Sequence, residues 1–430
     1  MRYIEASSTG PLRGTVHIPG AKNSSLALLA AACLADDIVS LEGIPRIEDV
    51  RIVEGIGRDI GMELRREDER IVIDPRFIHS AAIDPGKASS YRASYYFAGA
   101  LLAKFGSVTI GFPGGDDFVA RPIDQHIKAF RALGAEVRLA SDHYVVEAAE
   151  LKGADIYFDT VTSGATINAM LAASRARGRT RLRNAALDPE VVDTAHFLNR
   201  LGARIYGAGT ECIRIEGVPY LNGGSHTVIP DRLIAGAFLM AAGLRGGQVT
   251  VQNIIPEHLG SCLAKLEEIG MHVECGDGRI TASGTGMLKA TRVRAGMYPG
   301  FATDLQQPMT SLLLLAGGKS IVTDRVFPKR FAHVPQLRRL GADIEIRRES
   351  AFIRGGLPLK GDWVHATDVR AGTSLLLAGL AAEGRTRITG VEHLERGYED
   401  VVASFRAIGA QVAMREMDER ELGERLPLQG

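Results

Sequence analysis

Hydrophobic and polar positions along the chain follow one pattern that recurs six times. In each copy an amphipathic helical stretch ends in Ile or Leu followed by Gly, and alternating apolar and polar positions come next. The glycines are Gly61, Gly134, Gly202, Gly270, Gly341 and Gly409, so successive copies are separated by 73, 68, 68, 71 and 68 residues. Gly readily adopts the left-handed conformation that ends a helix, and strict alternation is typical of a half-buried strand. The pattern predicts six copies of one αβ module, which must stack to bury a core.

A second pattern joins an Ala- and Leu-rich helical stretch to a strand through a Gly turn. It occurs in the segments 98–110, 169–182, 238–251, 312–322 and 375–388. The helical parts carry few charges and have no obvious solvent-facing side, which predicts helices that are buried all round. We therefore expect each module to contain one interior helix and one amphipathic outer helix on a small sheet. Six modules divide most naturally as three plus three, which predicts an α/β protein of two lobes.

Composition narrows the class of protein. With 430 residues the chain is long enough for two or three domains. Its 51 basic and 51 acidic residues balance, which argues against nucleic acid or an anionic membrane as the main partner. The four cysteines show no metal-ligand spacing and are expected to be reduced and mostly buried. The longest apolar run, 26–35, is too short for a bilayer, and the first residues lack a signal-peptide pattern, so a cytoplasmic location is predicted.

Two short motifs could bind or process an anionic ligand. The phrase GAKNSS at 20–25 precedes an apolar helical stretch, so Lys22 is expected near a helix N-terminus, where anions are attracted. The alternative is an Asn or Ser helix cap beside a solvated lysine. The phrase FPGGDD at 112–117, followed by ARPIDQH at 120–126, combines a Gly-Gly turn, two acids and an Arg. It suits a loop that closes over a ligand, although a plain surface turn would explain the acids equally well.

The C-terminal half adds three arginines in similar settings. Arg330, Arg370 and Arg396 each follow a late strand signal and are separated by 40 and 26 residues, so successive modules could direct them to a common point. Arginine binds carboxylate and phosphate through two parallel hydrogen bonds. Asp304 interrupts an apolar stretch and is either a functional acid or a helix N-cap. Among the eleven scattered histidines, His126 and His333 are expected to be hydrogen-bonded structural residues.

Several longer phrases together resemble one family, the UDP-N-acetylglucosamine 1-carboxyvinyltransferases, which are the enolpyruvyl transferases of early peptidoglycan synthesis. The phrases are GAKNSSLALLAA (20–31), YRASYYF (91–97), PGGDDFVARPIDQHI (113–127), DPEVVDTAHFL (188–198), IPDRLIAGAF (229–238), FATDLQQP (301–308), VFPKRFAHV (326–334), ATDVRAG (366–372) and ERGYED (395–400). The resemblance covers about residues 2 to 413. The sibling 3-phosphoshikimate family would have Ser-Lys-Ser at the first motif and a GTAMR-type phrase, whereas this chain has Lys22-Asn23 and no such phrase.

The resemblance implies a two-lobed inside-out α/β barrel with three modules in each lobe. Lobe one would span 22–229, with the nucleotide-sugar side and a catalytic loop at 112–122. Lobe two would combine 1–21 with 230–430 and supply the arginine-rich phosphoenolpyruvate side. The implied substrates are phosphoenolpyruvate and UDP-N-acetylglucosamine, with no metal, no organic cofactor, no nucleic acid and no membrane partner. A monomer active in cell wall biogenesis, and so in cell shape and division, is expected.

The resemblance also implies roles for individual residues. Phosphoenolpyruvate would be bound by Lys22, Asn23, Arg121, Arg330, Arg370 and Arg396, with its phosphate on Lys22, Arg121 and Arg396 and its carboxylate on Arg330 and Arg370. UDP-N-acetylglucosamine would be bound by Asn23, Arg92, Arg121, Pro122, Ile123, Asp124, Gln125, Thr162, Ser163, Gly164, Asp304 and Val326. The catalytic residues would be Lys22, Asp116, Asp304 and Arg396. Asp304 would contact the sugar 3-hydroxyl as general base or proton relay, and Asp116 would donate a proton.

Three positions depart from the commonest family pattern. Asp116 replaces a loop cysteine, which predicts insensitivity to fosfomycin because that drug alkylates a thiolate. Thr160 stands where many members have a basic residue, and Thr162-Ser163 replaces a frequent Ser-Val pair. Three functions therefore remain open: transfer to UDP-N-acetylglucosamine, which is favoured; transfer to another uridine nucleotide such as UMP in secondary metabolism; and a non-catalytic paralogue retained for binding.

Overall fold

The computed structural model describes residues 1–8, 10–90, 92–114 and 122–417, apart from the side chains of residues 90, 92 and 93. The chain divides into two compact units. We call Pro19–Pro230 the central unit and Met1–Ile18 with Asp231–Gly430 the terminal unit. No helix among the described residues combines the length and the apolar character needed to cross a membrane.

Short strands and helices alternate along the whole described chain. The strands are β1 Arg2–Ser7, β2 Arg13–His17, β3 Val39–Glu42, β4 Glu63–Glu67, β5 Arg70–Asp74, β6 Ala82–Ile83, β7 Ser107–Gly111, β8 Glu136–Leu139, β9 His143–Glu147, β10 Asp155–Tyr157, β11 Arg179–Arg183, β12 Arg204–Tyr206, β13 Cys212–Glu216, β14 Gly224–Thr227, β15 Gln248–Gln252, β16 His272–Gly276, β17 Arg279–Ser283, β18 Leu288–Lys289, β19 Arg292–Ala295, β20 Ala316–Asp324, β21 Asp343–Arg347, β22 Ser350–Gly355, β23 Trp363–His365, β24 Arg385–Thr389 and β25 Gln411–Glu416. The α-helices are α1 Lys22–Ala31, α2 Glu48–Ile60, α3 Pro85–Ser90, α4 Tyr96–Phe105, α5 Asp124–Ala132, α6 Ser163–Ala173, α7 Pro189–Arg200, α8 Arg232–Ala241, α9 Gly260–Glu268, α10 Thr303–Leu313, α11 His333–Arg339, α12 Val369–Ala381, α13 Val391–Glu395 and α14 Val401–Arg406. Short 3₁₀ turns lie at Ala32–Leu34, Pro75–Phe77, Arg92–Tyr95, Leu244–Gly246 and Pro256–Leu259.

The sheets repeat one topology in both units. In the central unit the strand orders are β14-β3-β5-β4, β6-β7-β9-β8 and β10-β11-β13-β12. In the terminal unit they are β2-β15-β17-β16, β18-β20-β22-β21 with β19 also on β20, and β23-β24-β1-β25. The last sheet is completed by the N-terminal strand, because β1 pairs antiparallel with both β24 and β25 and places Ile4 opposite Ile388 and Met414. Within the described residues, every sheet has a parallel pair at one edge, and all but the last have an antiparallel hairpin at the other edge; in the last sheet β25 pairs with β1 instead.

The six Ala- and Leu-rich helices form the interiors of the two units. These interior helices are α1, α4 and α6 in the central unit and α8, α10 and α12 in the terminal unit. Every residue of α8 and α12 is buried, and each of the others has at most three residues that are not. The amphipathic helices end as predicted, since all six repeat glycines have positive φ angles between 82° and 105°. Buried interior helices and left-handed glycine turns are therefore confirmed.

Side chains at the helix ends show how the interior helices of the central unit are aligned. Lys104, near the end of α4, donates from Nζ to the carbonyl oxygens of Cys33 and Ala35 at 2.9 and 2.7 Å, just beyond α1. Arg175, just beyond α6, donates to the Leu34 carbonyl at 2.6 Å. The three C-termini therefore lie at one end, so the three N-termini point to the other. In the terminal unit Arg245, just after α8, likewise binds the Ala381 carbonyl at the end of α12 at 2.9 Å.

Candidate functional site

The predicted site residues fall into both units. Asp116 and Arg121 lie outside the described residues, and so does the side chain of Arg92. The described members in the central unit are Lys22, Asn23, Pro122, Ile123, Asp124, Gln125, Thr162, Ser163 and Gly164. Those in the terminal unit are Asp304, Val326, Arg330, Arg370 and Arg396. In the central unit most of them lie at the N-terminal ends of interior helices, and in the terminal unit Asp304 and Arg370 do.

Lys22 is the first residue of α1 and is held by a buried acid. The N-cap of α1 is Ala21, and no described side chain caps this end of the helix. The Lys22 ammonium forms an ion pair with Asp49, which is fully buried in the first turn of α2. The alternative of a side-chain cap beside a solvated lysine is therefore wrong. The uncapped amide groups at this end are suited to an anion, because helix N-termini carry unpaired N–H donors and partial positive charge.

The predicted nucleotide-binding residues lie at the starts of α5 and α6, and a hydrogen bond connects these two regions. The Gln125 side chain in α5 accepts a hydrogen bond from the Asp159 backbone N–H at 3.0 Å, which anchors the loop that leads to α6. Thr162 is the N-cap of α6 and accepts from the Ala165 N–H at 3.5 Å. A Cβ atom at Gly164 would lie 2.7 Å from the Tyr95 hydroxyl, at the start of α4. Only Gly therefore allows the starts of α4 and α6 to approach so closely.

Asp304 lies between two buried arginines in the terminal unit. Its Oδ1 accepts a hydrogen bond from Arg330 Nη1 at 2.5 Å, and its Oδ2 accepts from Arg370 Nε at 3.3 Å. Arg330 and Arg370 are only 4% and 6% exposed. The N-cap of α10 is Ala302, and Asp304 belongs to the first turn, so the N-cap alternative for Asp304 is wrong. Two buried guanidinium groups that meet at one carboxylate form a built carboxylate-binding site.

A second aspartate holds the backbone of Arg370 in place, and other carboxylates keep its side chain charged. Asp368 caps α12 by accepting from the N–H groups of Arg370 and Ala371 at 2.8 and 3.1 Å. Burial lowers the pKa of Arg370, but the nearby carboxylates of Asp304 and Asp231 more than offset this effect, and the net pKa lies above the ordinary value for arginine. The Arg370 side chain is therefore a cation.

The turn before Arg330 is organised by another acid that the sequence analysis did not single out. Asp324 is fully buried at the end of β20, and its Oδ1 accepts from the N–H groups of Val326 and Phe327 at 2.9 and 2.8 Å. Its Oδ2 accepts from the Thr303 hydroxyl at 2.6 Å, and Thr303 in turn accepts from Arg330 at 3.3 Å. Arg396 is partly exposed and follows the short helix α13.

The histidine and cysteine predictions need correction at two residues. His126 is hydrogen-bonded to Asn168 at 3.0 Å. His333 is completely buried, and neither ring nitrogen has a hydrogen-bond partner among the described residues. Burial, together with the nearby Arg330, lowers the pKa of His333 to about 3, so it is a neutral core residue. Cys275 is exposed. In the described part of the chain, no three His, Cys, Asp or Glu side chains are grouped so as to hold a metal ion.

Comparison with known proteins defines the family. The family model for EPSP synthase (3-phosphoshikimate 1-carboxyvinyltransferase) matches residues 6–405. The chain is 48% identical over 411 residues to UDP-N-acetylglucosamine 1-carboxyvinyltransferase 2 of Geobacillus kaustophilus (strain HTA426), with 96% of both sequences covered. It is 45% identical over 423 residues to the protein of the same name from Bacillus subtilis (strain 168), with 98% and 99% covered.

Solved structures agree with this assignment. The enolpyruvyl transferase NikO from Streptomyces tendae superposes with a TM-score of 0.87 at 26% identity, covering 96% of this chain and 99% of that one. An EPSP synthase from Acinetobacter baumannii shares the fold, with a TM-score of 0.73 at 17% identity and coverage of 97% and 100%. The predicted enolpyruvyl transferase fold is thus confirmed. The chain belongs to the EPSP synthase family and groups within it with the UDP-N-acetylglucosamine 1-carboxyvinyltransferases.

Proposed function

We propose that this protein transfers the enolpyruvyl group of phosphoenolpyruvate to the 3-hydroxyl of UDP-N-acetylglucosamine and releases phosphate. The observation that carries the proposal is the pair of buried arginines, Arg330 and Arg370, that converge on one carboxylate. Phosphoenolpyruvate presents a carboxylate of the same kind. The relatives that match nearly the whole chain at 45–48% identity carry the name of this activity.

The chemistry needs one proton donor, one proton acceptor and fixed positive charge. Protonation of C3 of phosphoenolpyruvate makes C2 electrophilic, and the sugar hydroxyl then attacks C2 while losing its proton. The tetrahedral intermediate then loses a proton from C3. The bond between C2 and the phosphate oxygen breaks, phosphate leaves, and the double bond between C2 and C3 forms again. Preorganised cations stabilise the leaving phosphate, and positioned acids and bases transfer the protons.

Named residues of this chain can fill each role. Arg330 and Arg370 hold the carboxylate, and Lys22, at the uncapped end of α1, holds the phosphate together with Arg121 and Arg396. Asp304 lies against the two arginines, so a bound carboxylate would compete with it for the same guanidinium groups. A displaced Asp304 is then available to accept the hydroxyl proton.

The remaining assignments rest on the family resemblance. Asp116 donates the proton to C3 from the 112–122 loop, and Arg121 and residues 122–125 and 162–164 hold the uridine diphosphate. Asn23 and Val326 contact the amino sugar. We further propose that the protein acts as a cytoplasmic monomer on small-molecule substrates in peptidoglycan synthesis.

Transfer to another uridine nucleotide is the second candidate. Thr160 is exposed and precedes the start of α6 by three residues. Many family members have a basic residue at the position of Thr160. A missing cation there weakens the case for a diphosphate ligand, and UMP has only one phosphate.

Phosphate release distinguishes these functions. Purified protein is incubated with phosphoenolpyruvate and either UDP-N-acetylglucosamine or UMP. The proposal expects rapid release with UDP-N-acetylglucosamine and its loss in Arg370→Met, whereas Arg347→Met, which removes an exposed arginine of the same unit, retains activity. Faster release with UMP would replace the proposal by the second candidate. No release with either nucleotide would indicate the non-catalytic paralogue.

A further inference from the structure

A buried carboxylate lies beside the start of α1, outside the set of predicted site residues. Asp193 occupies the middle of α7 and is 2% exposed. Its Oδ2 accepts a short hydrogen bond from the Ser24 hydroxyl, and its Oδ1 is hydrogen-bonded to His226 Nε2 at 2.7 Å. Ser24 and His226 are also buried. This trio of Ser24, Asp193 and His226, which we call the Asp193 clamp, belongs entirely to the central unit.

The clamp connects three segments that surround the residue before Lys22. Ser24 lies in the first turn of α1, and His226 lies in β14. The Ile229 N–H also approaches Asp193 Oδ2 at 3.5 Å, and the Ile229 carbonyl accepts from the Ala21 N–H at 2.7 Å. Asp193 therefore closes a ring of hydrogen bonds from Ala21 through Ile229 and back to Ser24.

Asp193 does not serve the helix that contains it. A buried carboxylate is costly unless it is hydrogen-bonded, and a mid-helix Asp neither caps α7 nor favours its helical conformation. An apolar residue at this position would leave the buried Ser24 hydroxyl and His226 Nε2 without this hydrogen-bond partner. What Asp193 does provide is a fixed lateral anchor for the first turn of α1, whose N-terminus no described side chain caps.

We propose that Asp193 is a positioning residue that acts through Ser24 and His226 to fix the first turn of α1. This turn carries Lys22 and Asn23, so the clamp sets where the ammonium of Lys22 and the start of the helix meet a phosphate. Asp193 itself touches no substrate. The inference rests on the proposed function, and it adds to that function a residue that determines how phosphoenolpyruvate is held.

Ser24→Ala tests the clamp with the smallest change, because it removes one hydroxyl and leaves the pair of Asp193 and His226 intact. The matched control is Ser174→Ala, which removes an equally buried hydroxyl that binds the Met170 carbonyl at 2.8 Å at the far end of α6. Misplacement of a binding group by about 1 Å can lower the rate about 100-fold. We expect Ser24→Ala to lower kcat/KM for phosphoenolpyruvate at least about tenfold relative to Ser174→Ala, at equal melting temperature.

Two further measurements keep the test decisive. Ser24→Thr restores the hydroxyl and should recover most of the lost kcat/KM, which a simple packing role would not predict. Hydrogen exchange of the peptide 20–31 needs no substrate, and its amides should exchange faster in Ser24→Ala than in Ser174→Ala. Should Ser24→Ala fail to fold, Asp193→Asn, which keeps the side-chain volume, is compared in the same assays.

The outcomes separate the clamp from the proposed function. Equal kinetics and equal exchange of Ser24→Ala and Ser174→Ala would overturn the clamp while leaving the proposed reaction intact. If the unaltered protein releases no phosphate with either nucleotide, the proposed function fails, and the exchange rates alone decide whether Asp193 fixes the helix end. Unchanged exchange in that case would also overturn the clamp.

Discussion

Asp304 has two proposed effects: it competes with the substrate carboxylate for the two arginines, and it accepts the hydroxyl proton. Replacing Asp304 with Asn should therefore strengthen the binding of a carboxylate ligand and slow the reaction. The carboxylate receives hydrogen bonds from Arg330 at 2.5 Å and from Arg370 at 3.3 Å, so a carboxylate ligand must displace it. A hydrogen bond to a charged group contributes about 1.5–3 kcal/mol; the amide side chain in Asp304→Asn would keep hydrogen bonds to the charged guanidinium groups but would lose the attraction between opposite charges. The longer of the two bonds is weak, so a carboxylate ligand should bind more favourably to Asp304→Asn by roughly 1–1.5 kcal/mol. This difference corresponds to an increase of about tenfold in affinity for that ligand.

The rate should change in the other direction. Asn cannot accept the hydroxyl proton, and general acid–base groups contribute about 10²–10⁴ in rate. We therefore expect kcat to fall by about that factor, while affinity for a carboxylate analogue rises.

The assay uses phospholactate, which keeps the phosphate and carboxylate of phosphoenolpyruvate but lacks the double bond. Its affinity is measured by titration calorimetry with UDP-N-acetylglucosamine present. Asp343→Asn is the control, because it removes one exposed negative charge from the same unit. Weaker or unchanged binding in Asp304→Asn, or turnover equal to that of the unaltered protein, would refute the reasoning.

Three further predictions concern packing, pH and inhibitor chemistry. Gly99→Ala should destabilise the protein by about 1–3 kcal/mol in urea unfolding, because a Cβ there would lie 2.3 Å from Asn168 Oδ1, whereas Gly55→Ala, with open space around it, should not destabilise. Burial near Arg330 lowers the pKa of His333 in the folded protein to about 3. Between pH 6.5 and 3 the unfolded chain therefore binds one more proton at this residue than the folded chain, and the free energy of unfolding falls as the pH falls. His333→Leu should reduce the slope of unfolding free energy against pH by up to about 1.4 kcal/mol per pH unit. Asp116 should leave the protein unmodified by fosfomycin in an intact-mass measurement, whereas Asp116→Cys should gain a covalent adduct.

The fold was largely predictable because its signals are local. The glycine turn after each outer helix and the uncharged interior helices recur at nearly constant spacing, and both features are present in the structure. The strands that complete three of the sheets, β1, β2 and β14, could not be assigned in the same way. Each pairs with strands more than 180 residues away in sequence, and no local pattern encodes a partner at that distance.

The site was predictable only in part. Lys22 could be proposed because a cation at a helix start suits an anionic substrate, and Arg330 and Arg370 because arginines recur after late strand signals in successive modules. Their acidic partners gave no comparable signal. In the sequence, Asp49 resembles any acid in the first turn of a helix, where acids are common. Asp324 likewise resembles an ordinary residue at the end of a strand. Only the folded chain shows that each is fully buried and holds a residue of the site.

The helix caps give an independent reason to expect the anion at α1. Asp231 and Asp368 cap α8 and α12 with two hydrogen bonds each, which satisfies the first amide groups and offsets the partial positive charge of those helix ends. Among the interior helices, α1, α4 and α10 have no side-chain cap within the described residues, and α1 and α10 carry Lys22 and Asp304 in their first turns. At α10 the carboxylate of Asp304 already supplies negative charge, whereas the first turn of α1 contains no acid. Of the starts of α1 and α10, the start of α1 is therefore the one that carries a cation rather than an acid, which favours a phosphate there, and Asp193 holds that end in place.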